Sequence, residues 1–205
     1  MKDDREEIVQ EWLARAEQFW ISSRVAEHEF GHLFPALHLH ALALEMMLKT
    51  AILSLDPAGC SWATFNSRRI FPEGHHVVRL VQRWNSLHPR KKITERNDGL
   101  IGWEDMENEL FLSEHSFAAL EKYTDLKMVG RYFEGQLEWS TWAVDAANIV
   151  FFALRKEVKT FLKVDHDFID SALNGTCGRS KDAMWLRRAM RKSNVALPIH
   201  ERICE

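Results

Sequence analysis

Apolar residues return every three to four positions along most of this chain, the spacing of helices that bury one face. The clearest case is residues 33–55, LFPALHLHALALEMMLKTAILSL, where positions 37, 41, 44, 48 and 51 or 52 form a broad apolar stripe. Pro35 suits a first helical turn. His38, Glu45 and Lys49 fall on another side. Glu45 stands four residues before Lys49, which predicts a surface ion pair contributing about 0.2–0.5 kcal/mol.

Residues 3–30 predict a long helix before this one. Asp3, Asp4, Glu6 and Glu7 suit the positive end of its dipole, and Ile8, Trp12, Phe19, Ala26 and Phe30 lie on one face. Val9, Leu13, Ala16 and Trp20 widen that stripe, and Gly31 suits the helix end. The two helices should form an antiparallel hairpin. Arg24, His28 and His32 near its junction read either as a polar cluster or as a solvated edge.

Residues 56–74 carry turn formers at both ends and no sustained period, so they predict a loop with at most one short helical turn. A third helix follows over 75–87, with Val77 or Val78, Val81 and Trp84 inward. The long connection after it holds Pro89, a basic patch of Arg90, Lys91, Lys92 and Arg96, and a turn that suggests a short hairpin around Asp98 and Gly99. Ser113 and Glu114 suit the start of another helix with Phe117, Leu120 and Tyr123 or Thr124 inside. Residues 130–135 read as a connection to the longest periodic run, 137–164. Its core side takes Trp139, Trp142, Ala146, Ile149 or Val150, Ala153 or Leu154, Val158 and Phe161. The expected class is all-α, a bundle of about five main helices over residues 1–165, with a basic helix and tail over 166–205 packed on it.

Composition narrows the function classes. A net charge of −3 gives no global field that draws the chain to nucleic acid or anionic lipid, so local charge must do so. Over residues 179–194 six cations face the single acid Asp182, an excess of +5 that leaves −8 elsewhere. That segment reads either as a phosphate-neutralising helix or as a face that pairs with the acidic amino-terminal helix. Eight Trp and twelve Phe predict a core filled by large rings. Cys60, Cys177 and Cys204 are scattered and lack a C-x-x-C spacing, and the amino end lacks an apolar leader. The expectation is a cytoplasmic protein without a membrane span, disulfide framework, metal or cofactor.

Three pieces taken in order resemble the HEPN superfamily of helical-bundle proteins. The first is LHLHALALEMMLKTAIL at 37–53, with its Glu and Lys four apart. The second is Gly74-His75-His76-Val77-Val78-Arg79-Leu80, and the third is the segment from Tyr123 to Arg131-Tyr132 before the final long helix. The resemblance implies an up-and-down bundle that often dimerises. It also implies a link to RNA cleavage, to nucleotide-related binding and to toxin–antitoxin partnership with minimal nucleotidyltransferases. From it come the candidate phosphate contacts Lys49, His75, Arg79, Arg83 and Arg131, with Tyr132 for stacking.

Catalytic members carry an Arg followed after four to six residues by His in the last long helix. Here that helix holds Arg155, and the next histidine, His166, stands eleven residues on, beyond one helical turn. The leading expectation is therefore a non-catalytic or diverged member that binds RNA, a nucleotide or another phosphate-bearing ligand, as a homodimer. Two alternatives stay open. One is a protein-interaction module using Trp-rich helices and the basic tail. The other is a metal-independent ribonuclease in which Arg83 and His88, at the permitted spacing, clamp phosphate and shuttle a proton. Ten histidines raise a metal site, but His38, His40, His75, His76 and the His28–His32 pair lack a named third ligand.

Overall fold

The computed structural model describes residues 4–28, 33–56, 61–62, 65–96, 109–113, 120–121 and 141–164. The helices are α1 (Arg5–His28), α2 (Leu33–Leu55), the single turn α3 (Ser67–Ile70), α4 (Val77–Leu87) and α5 (Thr141–Leu162). Two short strands, β1 (Lys92–Arg96) and β2 (Glu109–Ser113), complete the described elements. The described residues are predominantly helical, an all-α architecture. Arg131 and Tyr132, the three cysteines, the basic segment 179–194 and the boundary expected at 165 lie outside the described residues.

Packing explains why α2 holds the centre. The predicted stripe Leu37, Ala41, Leu44, Leu48, Ala51 and Ile52 is buried, and so are Ala43, Met47 and Leu53 on adjoining sides. Each fully buried leucine or isoleucine contributes about 1.5–3 kcal/mol by leaving water. The window Pro35–Leu55 is long and apolar enough to cross a membrane, but 78% of it is buried inside the protein, the position of a core helix. Against it α1 places Ile8, Val9, Trp12, Leu13, Ala16 and Trp20. From α5 come Ala146, Ala147, Val150, Phe151, Leu154, Val158 and Leu162, while α4 contributes Val77, Leu80, Val81 and Trp84. The Trp20 ring stacks on Phe151 and meets Phe152 edge-on.

Contacts between the helix ends set their directions. The guanidinium of Arg5 at the start of α1 reaches the Asp56 carbonyl beyond the end of α2 at 2.5 Å, so these two helices are antiparallel. Arg5 also lies over Phe161 near the end of α5, whereas Trp20 meets Asn148 near its start. Helix α5 thus opposes α1. Helix α4 begins beside Glu45 and passes Asp56 two turns later, in the same sense as α2. The connection from α2 to α4 therefore returns the chain instead of reversing it, unlike the alternation implied by the family resemblance.

One local expectation is corrected. Strand β1 pairs with β2 in parallel, Lys92 opposite Glu109 and Arg96 opposite Ser113, so the two are not arms of a hairpin at Asp98 and Gly99. Ser113 is the last residue of β2, Leu120 and Glu121 are helical, and the rest of the helix start expected at Ser113 and Glu114 lies outside the described residues. Strand β1 is held to α4 by Asn85. Its amide donates to the Ile93 carbonyl and its oxygen accepts the Ile93 N–H, both at 2.8 Å. The Trp84 indole adds a bond to the Lys91 carbonyl at 2.9 Å.

Candidate phosphate-binding site

Of the sequence-predicted contacts, Lys49, Arg83, His75 and Arg79 fall into an inner and an outer layer where α2 meets α4 and the segment before it. Phe71, almost fully buried, is at the middle of the inner layer. The Lys49 ammonium lies 5.4 Å and the Arg83 guanidinium 5.5 Å from its ring centre. Both cations are bound to acids. Lys49 Nζ donates to Glu45 Oε1 at 2.7 Å, with both side chains less than a tenth exposed. Arg83 donates to the Ile70 carbonyl at 2.5 Å, to Glu73 at 3.2 Å and to Asp56 at 3.3 Å.

The surface pair predicted for Glu45 and Lys49 is thus a buried one. Helix α4 and the segment before it cover the side of α2 that a single helix would leave in water. A buried pair recovers its desolvation cost only through good geometry and further hydrogen bonds. Here the additional donor is His75 Nδ1, 2.7 Å from the same Glu45 oxygen.

The outer layer is His75, His76 and Arg79. The His75 side chain is 61% exposed, and His76 and Arg79 are exposed as well. Local chain geometry gathers them. Gly74 takes φ +63, a turn conformation that glycine adopts without strain, and brings the chain into α4 immediately afterwards. His76 is the N-cap of α4, with extended backbone and no side-chain cap hydrogen bond. The first-turn N–H groups of a helix have no intrahelical acceptor, and its dipole is positive there. Arg69 of α3 and Arg90 beyond α4 are also exposed.

The residues of the other pairings proposed from sequence have partners of their own. Arg83 is held by Asp56, Glu73 and Ile70, while the His88 ring lies 5.2 Å from Trp84, so the two are engaged separately. Arg155 donates to Glu17 at 2.7 Å with both side chains buried, which occupies the arginine of the last helix. Arg24 is neither solvated nor exposed; it is buried and ion-paired with Glu27 at 3.0 Å. Among the described residues no group of three His, Cys, Asp or Glu side chains is placed to hold a metal.

Sequence reasoning did not find the polar centre between α1, α2 and α5. Asn148 Oδ1 accepts the Trp20 indole N–H at 3.0 Å and lies 2.8 Å from His40 Nε2. Burial lowers the His40 pKa from 6.5 to about 4; the hydrogen bond to Asn148 opposes this shift, and the charge of Arg24 adds to it. The readable signal was a polar residue on a core face. Asn148 interrupts the apolar run of α5, and Glu17 lies between Leu13 and Trp20 on the buried stripe of α1.

No known protein family, curated protein or solved structure matches the chain.

Proposed function

We propose that this chain is a HEPN-like helical bundle of about five main helices that binds a phosphate-bearing ligand, RNA or a nucleotide, without ribonuclease chemistry. The observation that carries this reading is the outer layer: two exposed histidines and an exposed arginine around the start of α4, whose N-cap side chain makes no capping bond. Backbone N–H groups at a helix start and a guanidinium are complementary to phosphate oxygens. Lys49 and Arg83 have a supporting part. Lys49 pairs with Glu45 within α2 and lies over Phe71, and the ion pairs of Arg83 tie α4 to Glu73 and to Asp56 beyond α2, beneath the ligand surface. Arg131 and Tyr132 extend the site in the proposal, as the family resemblance implies.

The absence of catalysis in the proposal rests on Arg155, buried against Glu17 with no histidine at the family's catalytic spacing. The protein would work in the cytoplasm as a homodimer, with a minimal nucleotidyltransferase as its candidate protein partner. The test is binding to a fluorescent single-stranded RNA at about 50 and about 200 mM salt, with the RNA then run on a gel. Salt-sensitive binding with intact RNA is expected. RNA cleavage lost in His88→Ala would restore the ribonuclease reading, and no binding at the lower salt would overturn phosphate recognition.

A further inference from the structure

One edge of the β1–β2 sheet is sealed by a side chain. The Asn85 amide bonds both the N–H and the carbonyl of Ile93 at 2.8 Å, as a neighbouring strand would, and so closes the outer edge of β1. In a strand the N–H and carbonyl of one residue point to the same side, and those of its neighbours point to the other. Since Ile93 faces Asn85, the backbone of Lys92, Thr94 and Arg96 faces β2. Thr94 stands opposite Phe111, so in a parallel ladder it bonds the residues on either side, Leu110 and Leu112. The backbone groups of Glu109, Phe111 and Ser113 therefore turn to the far edge, where the sheet ends among the described residues.

That edge suits the addition of a strand. β1 is anchored to α4, whereas β2 pairs on one side alone among the described residues, and a sheet of two short strands is marginal until others extend it. The segment Glu109–Ser113 holds neither the lysine nor the proline that commonly guards an edge. Its outward residues are spaced evenly about Phe111, which makes the edge complementary to itself. An antiparallel copy related by a twofold axis at Phe111 would set the two Phe111 residues opposite each other and Glu109 opposite Ser113 of the other copy. Every outward N–H then meets a carbonyl, and no two charges of one sign stand face to face. We propose that the homodimer forms by antiparallel pairing of β2 with β2 of a second copy, which joins the two sheets into one. This interface rests on the homodimer reading and gives it a place in the fold.

Sedimentation equilibrium of the full chain tests it. At micromolar concentration the wild type should be a dimer. Ser113→Glu sets like charges opposite each other at both ends of the joint and should weaken the dimer about fivefold, whereas Ser113→Lys sets opposite charges there and should tighten it by a similar factor. Phe111→Pro removes an outward N–H and spares the inward ones of Leu110 and Leu112, so it should give a monomer with the helical circular dichroism of the wild type. If Phe111→Pro fails to fold, the two Ser113 variants decide. A dimer that responds alike to both of them, or that survives in a folded Phe111→Pro, would overturn this interface and leave the homodimer standing. A wild type that stays monomeric over the whole concentration range would overturn the homodimer and this interface with it.

Discussion

Arg155 Nε donates to Glu17 Oε1 at 2.7 Å across the α1–α5 contact, with less than a tenth of either side chain exposed. Removing one partner takes this pairing away from a buried charge. Arg155→Ala is expected to cost about 3–5 kcal/mol in urea unfolding, whereas Glu17→Leu combined with Arg155→Met should recover most of the loss. A single variant as stable as the wild type would contradict the buried pair.

His40 gives a pH dependence of definite sign. Its imidazole is held neutral in the folded protein, with a pKa near 4 against 6.5 when unfolded, so the unfolded chain binds the extra proton between these values. The contribution is fully present above about pH 6.5 and is lost progressively as pH falls towards 4, up to about 3 kcal/mol. His40→Gln keeps a donor for Asn148 and should flatten stability against pH in this window. An unchanged slope would show that another group is responsible.

Arg83 ties α4 to the Ile70 carbonyl, Glu73 and Asp56. Arg83→Ala should lower global stability by about 1–3 kcal/mol and speed amide hydrogen exchange over residues 65–76 more than in α1. Uniform exchange throughout the protein would count against a local clamp.

Lys49 and Arg79 were both phosphate candidates, and their surroundings separate them. Lys49→Ala removes the buried partner of Glu45 and should cost about 3 kcal/mol in unfolding. Arg79→Ala, on the surface, should stay within about 0.5 kcal/mol of the wild type. Equal effects on stability would contradict the two layers.

The helices were legible because each buries a stripe that repeats at the helical period. Residues 33–55 had that stripe in full, and α2 has those ends. Helix α4 begins at Val77, two positions later than expected, because Gly74 and His75 belong to the turn that feeds it. What was illegible depends on a second element. Glu45 and Lys49 look like a surface pair until α4 covers them. Residues 92–96 reveal no partner until 109–113 lie alongside, and Asn85 is an ordinary helix residue until Ile93 pairs with both ends of its amide. Of the candidate site, His75 and Arg79 were found through the Gly-His segment, while the link from His75 to Glu45 spans thirty residues and has no local pattern.

The most direct measurement is the salt dependence of single-stranded RNA binding in the wild type and in Arg79→Ala. An Arg79 phosphate contact should give the variant weaker binding at every salt concentration and a log–log slope shallower by about one. Identical curves for the two proteins, or no binding by the wild type at low salt, would contradict phosphate recognition at the start of α4.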